Sequence, residues 1–167
     1  GSSTFLRRRA ETIVAHPPPG HRCLAPAILH VAFRGACTAF GKRLHEHGSV
    51  ANDIGRSRIE IDQARLLCMH TAQTLDEKGV KGARKEIGML KIVGTELLQN
   101  VSERALRVHG AMGVSDQTPL AELYGLGMHL SIADGPSEVH LPGIAKAELR
   151  DHDPAAFEKF YNIPQRL

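Results

Sequence analysis

Five stretches of this chain place apolar side chains three, four or seven residues apart, the spacing of one helix face. The first runs from Leu24 to Leu44 through Ile28, Val31, Ala32, Ala36, Ala39 and Phe40. It is weakened at Gly35 and Gly41 and closed by Gly48. The second is stronger. Ile54, Ile61, Cys68 and Leu75 stand seven apart, and Ser57, Ala64 and Thr71 fill the companion seam with small side chains that permit close approach. Ser49 or Asn52 can cap its start, and Gly79 sits where a left-handed glycine ends a helix. The third steps through Ala83, Ile87, Leu90, Gly94, Leu97, Val101, Ala105 and Val108 to a stop at Gly110. Gly88 and Gly94 inside it cost about 1 kcal/mol each against alanine, which a tight helix crossing would offset. Thr118-Pro119 reads as a cap and first-turn proline for a fourth helix through Leu120, Leu123, Tyr124, Gly127 and Leu130. After a turn at Asp134-Gly135-Pro136, Ser137 can cap a fifth helix to Leu149, poor at its start because of Pro142 and Gly143.

The pattern predicts an all-α fold, an antiparallel four-helix-type bundle over residues 23–150. Residues 1–22, broken by His16-Pro17-Pro18-Pro19-Gly20, read as a leader or linker, and 151–167 as a C-terminal tail. A length of 167 residues fits one domain. Aromatic residues are 4% and Trp is absent, so the core is built from Leu, Ile, Val, Ala and Met, which suits helices better than a β-sandwich. No apolar run approaches the roughly 20 residues that span a bilayer, so no transmembrane segment is expected. Phe5-Leu6 is too short for the apolar core of a secretory signal. Three cysteines without CxxC spacing fit a reducing compartment better than a disulfide framework. Net charge is +3, and the only compact basic run, Arg7-Arg8-Arg9, has no interleaved aromatics, which argues against nucleic-acid binding. The ten histidines form no HExxH or Cys/His cluster, so no metal site is expected. A non-catalytic bundle, acting as an oligomerisation or scaffold module, would need nothing more from this sequence.

Four stretches add more. They are TAFGKRLHEHGSVANDIGRSRIEIDQARLL (38–67), ERALRVHGAMGVS (103–115), TPLAELYG (118–125) and SIADGPSEVHLPGIAKAEL (131–149). In this order and spacing they resemble the C-terminal domain of flavin-dependent acyl-CoA dehydrogenases. GRSRIEIDQARLL and ADGPSEVH are most similar to a subgroup whose longer members carry a kinase-like domain. The resemblance covers 24–149. It implies a helical bundle that follows an N-terminal helical domain and a middle β-domain, with FAD between the last two. It also implies dehydrogenation of an acyl-CoA at the α,β-carbons, electrons passing to an electron-transfer flavoprotein, and a homodimer or homotetramer built through the bundle. The implied location is mitochondrial or peroxisomal in a eukaryote, otherwise cytoplasmic, and not secreted. No stretch here reads as the middle β-domain, so the chain alone is expected to be inactive.

By this resemblance Asp134 is the carboxylate that takes the α-proton, where many members have Glu. The residues alone also allow an Asp-Gly turn at that position. Gly135 is implied at the thioester carbonyl, and Pro136, Ser137 and Glu138 at the flavin, with Pro136 standing where Thr is frequent. A helix start there also favours anions by its dipole. Arg107, Gly110 and Ala111 correspond to a stretch that touches flavin across a dimer interface. A Gln is common at Arg107 and a second Gly at Ala111. Arg107 can hold a pyrophosphate or simply be a last-turn arginine, and Gly110 can be a helix stop. Thr38 and Phe40 match a neighbourhood that contacts the partner subunit's flavin. The arginine usual there falls on Cys37, with Arg34 one turn away. On its apolar helical spacing alone, Phe40 reads as core rather than as a cofactor platform.

Overall fold

The seam of small residues at Ser57, Ala64 and Thr71 is the buried face of a long helix, and buried Cys68 and Leu75 continue it. The structure, a computed structural model, describes residues 38–151. Two short strands, β1 (Thr38–Ala39) and β2 (Lys42–Arg43), pair antiparallel. A 3-10 turn at Leu44–Glu46 leads into α1 (Gly48–Gly82). Then come α2 (Arg84–His109), a 3-10 turn at Gly110–Met112, α3 (Leu120–Ile132) and α4 (Ser137–Asp151).

Helix α2 is the centre and packs against each of the other three. It runs antiparallel to α1. Thr71 of α1 meets Glu86 near one end, and Ser57 and Glu60 of α1 meet Arg104 near the other. Along its opposite side α3 and α4 follow one another. Leu120 packs with Val101 and Ala105, Gly127 lies on Gln99, Ser131 on Lys91, His140 and Ile144 on Gly88, and Glu148 on Lys85. The Asp134 turn is therefore a joint in one broken helical line, not a reversal of the chain.

The packing is an all-α bundle with a core of small and mid-sized side chains. Val101, Ala105 and Leu120 are buried together, with Ile54, Leu97 and Leu106 against them. Fully burying a side chain the size of Val or Leu contributes about 1.5–3 kcal/mol. The buried hydroxyls of Ser57, Thr71 and Thr74 donate to the carbonyls four residues back, Asp53, Leu67 and His70. That bond satisfies the hydroxyl inside its own helix and leaves a smooth, closely packed surface.

Several local expectations are corrected. The described end of the predicted Leu24–Leu44 helix, residues 38–44, is a hairpin and a 3-10 turn; the rest of that helix, the leader at 1–22, Arg34, Cys37 and the tail from 152 lie outside the described residues. The helix fails there because Phe40 and Gly41 both have positive φ, 51° and 75°, the backbone of a two-residue type I′ turn. Phe40 is 98% exposed, not core. Neither Ser49 nor Asn52 caps α1. His47 is the N-cap residue without a capping side-chain bond, since its ring Nε2 is bonded to the Ala39 carbonyl at 2.9 Å. Gly79 does have positive φ (68°), but it is a kink: helical bonding resumes to Gly82. Pro119 is the N-cap of α3, not its first helical residue, and the Thr118 hydroxyl donates to the Met112 and Gly113 carbonyls. Ser137 is the first residue of α4 itself. The tight crossing falls at neither helical glycine foreseen. A Cβ on Gly94 would meet nothing within 4 Å, and one on Gly88 only ordinary contacts with Ile144 and His140. The close approach is at Gly127, where a Cβ would stand 2.8 Å from Gln99 Cγ and 3.2 Å from Gln99 N.

Candidate functional site

Helix α3 ends at Ile132, and its last turn is closed by the Ala133 N–H donating to the His129 carbonyl at 3.0 Å. The chain then takes an extended step at Ala133 (ψ 143°), a left-handed one at Asp134 (φ 56°) and another at Gly135 (φ 99°). The Val139 N–H donates to the Pro136 carbonyl at 3.0 Å and starts α4. Glycine meets the second left-handed position without strain, whereas a side chain there would be strained. Asp is one of the few other residues that visits this region, at a cost of about 1–2 kcal/mol. Asp134 is exposed, at the apex of the joint.

The turn is braced from α2. The Lys91 ammonium donates to the Ser131 carbonyl at 2.8 Å and to the Gly135 carbonyl at 2.5 Å. One is a carbonyl of the last turn of α3, which has no partner within its helix; the other lies just past Asp134. On the other side the His140 ring closes over Gly135. Its Nε2, which has no hydrogen-bond partner among the described residues, is 3.5 Å from the place of a Cβ on Gly135. Ser137 is half-buried, while Pro136 and Glu138 are exposed.

The other predicted residues lie elsewhere. Arg107 is sixteen residues beyond Lys91 on α2, about 24 Å along the helix at a rise near 1.5 Å per residue. Its exposed guanidinium is held by Glu103 one turn back, with contacts of 2.6 and 3.1 Å to one carboxylate oxygen. Gly110 (φ 60°) is the C-cap of α2, and Ala111 is exposed in the following 3-10 turn. Thr38 and Phe40 stand before the N-terminus of α1, which the antiparallel pairing sets at the same end of the bundle as Arg107. The Phe40 ring meets His47 edge-on, with centroids 6.4 Å apart. The predicted residues thus form two groups, one at the α3–α4 joint and one at the far end of α2.

Among the described non-glycine residues, positive φ occurs at Asp134 and Phe40 alone. One lies in each group. Strained backbone of this kind persists where surrounding structure holds it, and it clusters at functional positions. An open cavity of about 510 Å³ is lined by Val114, Ser115, Asp116, Gln117 and Thr118 beside the start of α3. Asp134 does not line it.

The geometry bears on which ligand groups would fit. At the joint, the start of α4 and the Lys91 ammonium favour negative charge close to a carboxylate that can accept a proton. At the far end, the carbonyl-bearing C-terminus of α2 disfavours an anion, the starts of α1 and α3 favour one, and Arg107 adds an exposed guanidinium. An exposed pair such as Arg107–Glu103 is worth little in water, and a phosphate can compete for the guanidinium. Among the described residues no group of three or more His, Cys, Asp or Glu is placed to hold a metal, and no helix is long and apolar enough to cross a membrane. Lys91 was missed by sequence reasoning, because a lysine on a helix that pairs with backbone forty residues away leaves no pattern.

A family model for the acyl-CoA dehydrogenase C-terminal domain matches residues 3–149. The chain is 54% identical over 128 residues to the Mycobacterium tuberculosis protein named Probable acyl-CoA dehydrogenase FadE2, covering 77% of this chain and 31% of that protein. It is 48% identical over 138 residues to acyl-CoA dehydrogenase family member 11 of Rattus norvegicus, covering 78% of this chain and 18% of that one. Among solved structures, the FAD complex of PigA shares the fold, with a TM-score of 0.68 at 23% identity, covering 76% of this chain and 32% of that one. The chain belongs to the acyl-CoA dehydrogenase family, as its C-terminal helical domain. It spans less than a third of the length of these relatives.

Proposed function

We propose that this bundle serves an FAD-dependent acyl-CoA dehydrogenase in which Asp134 is the catalytic base. The observation that carries this reading is the Asp134 turn itself: an exposed carboxylate in left-handed backbone, braced from α2 and set at the start of α4. Asp134 takes the α-proton of an acyl-CoA thioester. The negative charge that develops on the thioester carbonyl is favoured by the N-terminal end of α4 and the Gly135 backbone. Bound FAD supplies the acceptor for the hydride that leaves the β-carbon.

The remaining residues hold and orient. Pro136, Ser137 and Glu138 face the flavin beside the base. Arg107, Gly110 and Ala111, with Thr38 and Phe40 at the other end of the bundle, serve a flavin carried by a partner subunit. The roughly 24 Å between Lys91 and Arg107 along α2 supports that division. The assembly is a homodimer or homotetramer, electrons leave to an electron-transfer flavoprotein, and the location is mitochondrial or peroxisomal in a eukaryote and cytoplasmic otherwise.

A second reading, a non-catalytic oligomerisation bundle, is favoured by two observations. Glu103 already occupies Arg107, and large apolar side chains are exposed at Ile59, Leu66, Met69, Ile132 and Val139. The visible spectrum of the FAD-treated protein carrying this bundle, freed of excess flavin, separates the two. A flavin band bleached anaerobically by butyryl-CoA or a longer acyl-CoA is expected; a colourless protein favours the second reading. The 167-residue chain alone is expected to turn over no acyl-CoA, and turnover by it would contradict that expectation.

A further inference from the structure

We propose that Lys91 is a positioning residue for Asp134: by holding the carbonyls of Ser131 and Gly135 together, it fixes the left-handed turn that presents the carboxylate. This rests on the reading of Asp134 as the base, but its structural half can be tested without it.

The turn needs such a device. Asp134 and Gly135 are two consecutive left-handed residues between two helices, and the first carries a side chain that disfavours this backbone. The helices supply one closing bond on each side, Ala133 to His129 and Val139 to Pro136. Neither bond crosses the joint. The Lys91 ammonium does cross it, with one donor on the last turn of α3 and another on the carbonyl after Asp134. Both bonds involve a full positive charge, which makes them stronger than neutral ones. The ammonium also stands at the negative end of the α3 dipole. Lys91 reaches the joint from α2, to which α3 and α4 are both packed, so the clamp ties the turn to the helix at the centre of the fold. The Lys91 side chain is half-buried, where water competes less for its donors.

The clamp predicts a local effect. In Lys91→Met the side chain keeps its bulk and loses its donors. Helices α1 and α2 should stay folded, while the joint loses its fixed geometry. Lys91→Arg keeps charge and donors and should restore it. The experiment is ¹⁵N relaxation of the 167-residue chain and of both variants. Backbone order parameters at Asp134 and Gly135 should be near the rigid value of about 0.85 in the natural sequence and in Lys91→Arg, and fall below about 0.6 in Lys91→Met. The amides of Ala64 and Cys68 in α1 should not change.

A second arm reads positioning itself. In the FAD-loaded protein, Lys91→Met should lower kcat for butyryl-CoA or a longer acyl-CoA about 10-fold or more with KM little changed, as expected for a displaced base. Lys91→Arg should recover most of it. A lysine that served stability alone would lower Tm without this split. Unchanged order at Asp134 and Gly135 in Lys91→Met overturns the proposal, whatever the turnover. Should that variant not fold, Lys91→Ala, which likewise has no donor, is measured in its place, and full order in it overturns the proposal equally. An Asp134→Asn protein with full turnover would instead refute the base reading and leave the clamp to be judged by the order parameters.

Discussion

Arg104 of α2 grips both carboxylate oxygens of Glu60 on α1 at 2.7 Å, and the same guanidinium reaches the Ser57 hydroxyl at 3.1 Å. The two side chains are only 15% and 26% exposed. The hydrogen bond to Glu60 pushes the Arg104 guanidinium above its ordinary proton affinity. Burial opposes that shift, while the charges of Glu60, Asp53 and Glu103 add to it. A raised value means that Arg104 contributes its full share at every pH below its unfolded-state value, so its effect should not vary through the neutral range. A planar, two-pronged pair with little exposure lies between the surface and buried limits. Arg104→Met and Glu60→Gln should each cost about 1–3 kcal/mol in urea unfolding, and the double variant should cost much less than their sum. Additive losses would show that the fork does not couple α1 to α2.

Two glycines with similar sequence signals should respond with opposite sign. Gly94→Ala adds a methyl group into open space inside a helix and should raise stability by about 0.5–1 kcal/mol. Gly127→Ala pushes a Cβ onto Gln99 Cγ and close to the Gln99 backbone nitrogen and should cost about 1–3 kcal/mol. Thermal unfolding of the two variants side by side checks this, and equal shifts would contradict the packing of α3 on α2.

Phe40 sits at a hairpin position that suits Asn far better. Phe40→Asn creates the Asn-Gly pair preferred in type I′ turns and removes an exposed aromatic ring from strained backbone. It should raise stability by about 1 kcal/mol. If the ring serves a flavin, the same change should weaken FAD retention. A gain in Tm with unaltered flavin binding would leave Phe40 no role at the cofactor.

Much of the scaffold was legible in the sequence, and the reasons for the misses are physical. The seven-residue spacing of Ser57, Ala64 and Thr71 located the buried face of α1, because small side chains at that period permit only a close helix neighbour. On α2 the stripe located Val101 and Ala105, which pack on Leu120 of α3, and missed other buried positions. Gly88, Ile92, Thr95 and Ser102 of α2 are also buried, and three of those four give no hydrophobic signal. The hairpin at Thr38–Arg43 was missed because its strands are two residues long and its turn carries Phe where Asn is expected. Asp134 was visible because Asp-Gly-Pro interrupts a helical pattern, and Lys91 was not, because its partners are backbone carbonyls, which every residue has.

The most direct test of the account is the rate at which acyl-CoA bleaches the flavin in Asp134→Asn. Asn tolerates the same left-handed backbone, so the joint should keep its shape while the base is lost. Removing a general base typically costs 10²–10⁴-fold, and the bleaching rate of the FAD-loaded variant should fall by about that factor, with flavin content and Tm unchanged. A variant that bleaches at the natural rate would show that the proton goes to another group and that Asp134 is only a turn.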